Sequence, residues 1–336
     1  MREELPPEGD EGHAKGKDGT PIFWCAVGEG APALVCCDGI GCDGFAWKYL
    51  VRDFAPRHRI VRWHYRGHGR SGLPADRSRV KFDDLCDDLS AVLDATGTRE
   101  AVLLGHSMGV QVALEYHRRH RERVLGMALV CGSHGLPLDT FHDSKMLKTV
   151  LPSLISAAEK WPEATDLLWR FVAGGEWAYQ LATHLEVNGK VVRREDFAPY
   201  FKHLSGMDPR LFLGMLKHAS EHSAFDHLSE VDVPVLVVAG THDTFTPYWL
   251  SEEMHDRIPG AEMLTVPGGT HIAPLEQPEL LTLRLEKWLA GIQPRLRAAA
   301  ASDAPRLRAP PVAGEAGSSD DAPRLRAPPV AGKARS

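Results

Sequence analysis

Ser107 sits in the pentapeptide Gly105-His106-Ser107-Met108-Gly109, between the short apolar run Ala101–Leu104 and an amphipathic segment that begins near Val110. A serine hydroxyl is a weak nucleophile until a neighbouring base takes its proton. The strand–turn–helix setting of this G-x-S-x-G pattern is that of a nucleophile elbow, in which a sharp turn exposes the hydroxyl. Gly105 and Gly109, two residues to either side, let neighbouring backbone approach without a Cβ clash. The turn also aims the first N–H groups of the next helix, Met108 foremost, at negative charge developing beside the serine. Two candidate partners follow. Asp243 comes just past the apolar run Val235–Ala239, in Gly240-Thr241-His242-Asp243-Thr244-Phe245-Thr246-Pro247, where a carboxylate can orient a histidine. Alone, it reads more readily as a turn or capping aspartate. His271 follows the run Ala261–Val266 in the Gly-rich string Pro267-Gly268-Gly269-Thr270-His271. With 17 histidines in the chain, any single one is weak evidence. Serine, aspartate and histidine in that order, each at the carboxyl end of an apolar run, are a stronger signal.

Such residues need a scaffold that brings three distant segments to one edge. Ala33–Cys37, Ile60–Trp63, Ala101–Leu104, Val124–Val130, Val233–Ala239 and Ala261–Val266 have the length and β-branched content of strands. Helical patterns lie between most of them, at Phe45–Phe54, Phe82–Thr96, Val110–His120, Pro247–Ile258 and Pro278–Leu289. The alternation predicts an α/β fold: a mostly parallel central sheet with helices on both faces, built from residues 21–133 and 229–292. Residues 134–228 carry only helical patterns. One holds Met146, Leu147, Val150, Leu151, Leu154 and Ile155; another opens with Asp208 as cap and Pro209 in the first turn. Placed between core strands, this insert is expected to form a helical cap over one end of the sheet. Its aromatics, among them Trp161, Phe171, Trp177, Phe197, Tyr200 and Phe201, should mostly pack the cap itself and in part wall an apolar substrate pocket.

Composition narrows the function classes. The 336 residues, 43% hydrophobic, suffice for one large core, and the length alone would permit two domains. A net charge of −6 with both signs mixed leaves no basic footprint for nucleic acid. No stretch approaches the roughly 20 apolar residues of a membrane span. Residues 1–20 form a polar, Gly-rich segment without the apolar core of a secretory signal, so a cytoplasmic location is expected. The 6 cysteines show no Cys-x-x-Cys spacing and read as reduced and mostly buried, with adjacent Cys36 and Cys37 on opposite faces of one strand. No cofactor is expected and no metal, since Cys36, Cys37 and Cys42 lack histidines at ligand spacing. From 293 to 336 the chain is low-complexity Pro/Ala/Arg sequence, with one string at 304–314 repeated at 322–332. Too few large apolar residues are present there to offset ordering entropy, so a disordered tail is expected, with weak peptide-type docking as the alternative.

From Pro21 to Ala290 the chain resembles the α/β-hydrolase superfamily. The matching pieces are the elbow at 105–109, G-x-x-D-x-x-x-P at 240–247 and G-x-H-x₄-E-x-P at 269–278. Tyr65-Arg66-Gly67-His68-Gly69-Arg70-Ser71 is also similar to that family's loop after its fourth strand. The resemblance implies the α/β-hydrolase fold, with the cap after the sixth strand, and a carboxylesterase-like activity. It implies Ser107 as nucleophile, His271 as general base and Asp243 as the acid that orients it. It also points to Ile40 as the second oxyanion donor beside the Met108 N–H, each such donor being worth about 10²–10³ in rate. The expected partner is a small-molecule acyl substrate, a small to medium hydrophobic ester, thioester or lactone cleaved through an acyl-enzyme. Carbon–carbon bond hydrolysis, cofactor-free peroxyacid chemistry and acyl transfer use the same triad and stay open, as does, more remotely, a binding protein on this fold. An aspartate at the elbow would have indicated dehalogenase or epoxide hydrolase chemistry; serine argues against both.

The sequence departs from the family at two places. The superfamily usually has His-Gly before the second oxyanion donor, and this chain has Asp38-Gly39. A carboxylate there would oppose the charge being stabilised unless it faces away or is protonated. We expect Asp38 to turn inward and bond loop backbone, with Gly39 and Gly41 making the bend. His64 stands where relatives often carry Asp; with His68 it could suggest a metal pair, but a surface or loop-bracing role is favoured. His106 is expected to pack behind the site.

Overall fold

Alternation along the apolar runs decides the layers. Val35 and Cys37 pack on one side of their strand, Leu34 and Cys36 on the other, and all four are buried. A strand buried on both faces must lie between two helical layers. A computed structural model of the chain describes residues 9–137, 146–185 and 192–302. Its sheet contains β1 (Asp10–Lys15), β2 (Pro21–Val27), β3 (Ala33–Cys37), β4 (Ile60–Trp63), β5 (Ala101–His106), β6 (Val124–Val130), β7 (Val235–Gly240) and β8 (Glu262–Val266). The spatial order is β1-β2-β4-β3-β5-β6-β7-β8. β1 and β2 pair antiparallel, as do β2 and β4; every later pair is parallel, so the carboxyl ends of β3 and β5 to β8 share one edge.

Helices α1 (Lys48–Phe54), α2 (Phe82–Ala95) and α3 (Met108–Arg119) precede β6. Between β6 and β7 lie α4 (Met146–Lys160), α5 (Pro162–Gly174), α6 (Glu176–Leu185), α7 (Arg194–Ser205) and α8 (Pro209–Glu221). After β7 come α9 (Tyr248–Arg257), α10 (Ala273–Glu276) and α11 (Pro278–Ser302). Leu85 and Leu89 of α2, Val110 and Leu114 of α3 and Met254 of α9 cover one face of the sheet. Leu50 and Phe54 of α1 and Leu285 and Trp288 of α11 cover the other. Asp208 caps α8 as expected, its carboxylate accepting the Arg210 N–H at 2.9 Å.

The structure corrects several boundaries. The polar segment expected over 1–20 contains β1, an edge strand whose residues are exposed apart from Ala14 and partly buried Gly12, so its polar composition is that of a solvated edge. β2 also went unread; its burial pattern does not alternate cleanly. β5 runs two residues beyond Leu104, which brings the strand directly into Ser107. The helix expected over Phe45–Phe54 opens as a 3-10 turn at Phe45–Trp47. α11 continues past the boundary expected at 292. The repeated strings at 304–314 and 322–332 lie outside the described residues.

Candidate active site

β5 must turn at once into α3, and Ser107 makes the turn with φ 56° and ψ −121°. An L residue holds that strained conformation only where its surroundings impose it. Here they do: a Cβ on Gly109 would lie 2.1 Å from the Cys37 carbonyl oxygen, and one on Gly105 2.5 Å from that of Gly109. The Ser107 N–H is tied to the Val130 carbonyl at 3.1 Å. Met108 opens α3, so its N–H has no acceptor one turn earlier.

Two further strand ends meet this turn. A Cβ on Gly240, at the end of β7, would stand 2.4 Å from the Gly269 carbonyl, so the loops that carry Asp243 and His271 are in backbone contact. His271 Nε2 lies 2.8 Å from Ser107 Oγ, and His271 Nδ1 lies 3.0 and 3.2 Å from the two Asp243 oxygens. Asp243 is buried and also accepts the Phe245 and Thr246 N–H groups and the Thr246 hydroxyl, at 2.9, 2.9 and 2.8 Å. A carboxylate facing Nδ1 places the ring proton there and leaves the Nε2 lone pair toward the serine hydroxyl. Arranged so, the hydroxyl can pass its proton to Nε2 as it attacks, and the imidazolium that forms already faces an anion.

Residues the sequence reading did not single out brace this relay. Phe245 stacks on the His271 ring at 4.8 Å. Glu276 accepts the Thr270 N–H and hydroxyl at 2.7 and 2.8 Å, fixing the residue before His271. The local signals were an Asp followed at two and three residues by donors, and the Glu in the 269–278 motif. His106 is buried, as expected, and its Nε2–H donates to the His271 carbonyl at 2.9 Å; burial and the neighbouring His271 push its pKa down to about 4.

The loop after β3 passes close by: a Cβ on Gly39 would be 3.1 Å from Ser107 Cβ. Gly41 and Gly44 adopt φ of 74° and 94°, the left-handed region open to glycine. Asp38 turns inward and is 2% exposed, its carboxyl facing the Gly44 N–H of its own loop as expected, while its carbonyl accepts the Tyr65 hydroxyl at 2.7 Å. Its carboxyl Oδ1 has no partner at hydrogen-bond distance. Burial and the charge of Asp43 push this carboxyl up to about 7, against the Trp47 indole, Arg62 and the Gly44 N–H, which favour the ion. His64 accepts the Arg70 N–H at 2.9 Å, a bracing role.

A cavity of about 220 Å³ opens over Ser107 and His271. Its walls are Gly39, Ile40, Phe45, Phe245 and Ile272, with Ala182 of α6 and Phe197, Tyr200 and Phe201 of α7. α7 is fixed to the sheet side by Asp196, whose buried carboxylate pairs with the Lys48 ammonium and accepts the Tyr49 hydroxyl at 2.6 Å. Trp169, Tyr179 and Phe212 pack within the insert, as expected, whereas Trp161, Phe171 and Trp177 depart from that expectation and are exposed.

Comparisons with known proteins agree with this architecture. The sequence profile of the alpha/beta hydrolase fold matches residues 32–278. A protein of Azorhizobium caulinodans named as a carbamate hydrolase, RutD, is 28% identical over 265 residues, 77% of this chain and 91% of that protein. Mouse (Mus musculus) epoxide hydrolase 4 is 23% identical over 284 residues, 82% of this chain and 78% of that protein. The crystallised thermophilic esterase of Thermogutta terrifontis superposes with a TM-score of 0.69 at 22% identity, covering 85% of this chain and 99% of that one, a likeness of fold.

Proposed function

The chain belongs to the α/β-hydrolase fold family, and on that premise we propose that it is a serine hydrolase of small to medium apolar carboxylic esters, thioesters and lactones within the same reach. The observation that carries this reading is the unbroken relay Ser107–His271–Asp243, at 2.8 and 3.0 Å, beneath a cavity walled by aromatic and aliphatic side chains. Ser107 Oγ attacks the acyl carbon as His271 Nε2 takes its proton, and Asp243 holds the ring and favours the imidazolium. The oxyanion forms against the N–H groups of Met108 and Ile40. His271 then protonates the leaving alcohol, and water activated by the same ring releases the acyl group. α4 to α8 act as the cap, with α7 sizing the pocket: some 220 Å³ is about seven water volumes at ~30 Å³ each, enough for a short or medium acyl chain. Six cysteines without a disulfide support a cytoplasmic setting.

The carbamate hydrolase named among the relatives motivates one extra substrate class, since a carbamate carbonyl can meet the same serine. Epoxide opening through an alkyl-enzyme requires a carboxylate where Ser107 stands, so that chemistry is not proposed. The test is labelling by a fluorophosphonate, wild type beside S107A, then turnover of p-nitrophenyl esters of rising chain length and of an aryl carbamate. Labelling lost in S107A, with turnover that rises and then falls with chain length, supports the reading. A folded wild type that neither labels nor turns over any ester refutes it.

A further inference from the structure

The loop that carries Ile40 is held by a second loop, the turn that follows β4. Tyr65 donates its hydroxyl to the Asp38 carbonyl at 2.7 Å, and the Gly41 N–H donates to His68 Nε2 at 3.1 Å. These bonds fall on either side of Ile40. They fix the peptide groups 38–39 and 40–41, and so the plane between them whose N–H belongs to Ile40. Gly41, at φ 74°, imposes little steric preference on the peptide before it. An acceptor at His68 therefore selects one orientation from several that glycine permits.

The second loop is built for this task. Tyr65 and His68 are both fully buried, 1% and 0% exposed. His68 Nδ1 lies 3.2 Å from the Arg66 carbonyl. A carbonyl can only accept, so Nδ1 carries the hydrogen and Nε2 presents its lone pair to Gly41. Arg66 is itself locked by a bidentate pair with Asp88, at 2.7 Å for both bonds. Burial, with His203 and His64 nearby, pushes the His68 pKa down to about 3, so the ring stays neutral and able to accept at any ordinary assay pH.

We propose that His68, assisted by Tyr65, is a positioning residue that orients the Ile40 N–H toward the oxyanion formed at Ser107; this rests on the serine-hydrolase reading above. His68 touches neither substrate nor reacting atoms and acts through one backbone plane. Its loss should therefore weaken transition-state stabilisation and leave ground-state binding nearly intact, a kcat effect without a KM effect.

The experiment compares wild type, H68L, H68Q and Y65F on a p-nitrophenyl ester and on the matching thionoester, whose sulfur is a poor hydrogen-bond acceptor. H68L should lower kcat on the oxygen ester about 10–100-fold, a fraction of the loss for deleting a donor outright. KM should stay within about threefold, and the thionoester rate should fall much less. H68Q, which returns an acceptor oxygen near the Nε2 position, should recover most of the loss. Y65F, one oxygen smaller, should show the same oxygen-selective loss and carries the test if thermal unfolding finds H68L unfolded. Equal losses on both substrates, unchanged kcat, or H68Q no better than H68L would overturn the assignment to His68. A wild type without Ser107-dependent turnover would instead bring down the hydrolase reading beneath it.

Discussion

Replacing Asp38 by Asn isolates the effect of one buried charge. The Asp38 carboxyl is 2% exposed, its Oδ1 has no hydrogen-bond partner, and burial with the nearby Asp43 raises its pKa from 3.8 to about 7. In the unfolded chain it ionises near pH 4. Between about pH 4 and pH 7 the folded protein thus holds a proton that the unfolded chain has released, so stability falls as pH rises through that window and stays low above it. At ~1.36 kcal/mol per pH unit, the full difference is about 4 kcal/mol. Asn keeps the shape and cannot ionise, but its NH₂ faces groups that favour an acceptor, which costs about 1 kcal/mol. D38N should therefore be more stable than wild type by about 3 kcal/mol at pH 9, near 6 °C in Tm at ~2 °C per kcal/mol, with the gain vanishing between pH 4 and 5. Urea and thermal unfolding of both proteins at pH 5, 7 and 9 measure this. A difference that does not grow with pH, or a less stable D38N at pH 9, would mean the carboxylate is satisfied as an ion and the reasoning fails. Turnover of D38N should stay within about tenfold; a much larger loss would place the carboxylate in the reaction itself.

Two further predictions test how the site is held. D196N removes the charge that pins α7 to Lys48, at a cost of about 2–3 kcal/mol for a partly buried pair. Because α7 carries Phe197, Tyr200 and Phe201, KM for longer esters should rise more than kcat falls; unchanged KM across the ester panel would sink this link between anchor and pocket. G109A puts a Cβ 2.1 Å from the Cys37 carbonyl, where only backbone can give way. It should lose about 3 kcal/mol or more and its fluorophosphonate labelling, whereas a folded, fully labelled G109A would disprove the close approach.

Six of the eight strands were readable, most of them because burial on both faces leaves continuous apolar runs such as Val124–Val130. β1 was not, since an edge strand bonded on one side needs few apolar residues and here buries only Ala14. The exposed Trp161, Phe171 and Trp177 were misjudged because composition records that aromatics are present and not which way a helix turns them.

The candidate triad was legible for a related reason. Each member follows the carboxyl end of a strand in the parallel part of the sheet, and parallel strands deliver their carboxyl ends to one edge whatever lies between them, so chain order and local motif suffice. The sequence alone thus determined the layers, the strand-end positions of Ser107, Asp243 and His271, and the need for glycine at 105 and 109. Which distant side chains hold the loops and helix around those positions was decided only by the tertiary structure. Gly41 meets His68 across 27 residues, and Lys48 meets Asp196 across 148. The ionisation of Asp38 depends on the water excluded around it, a property of packing to which no spacing in the chain corresponds.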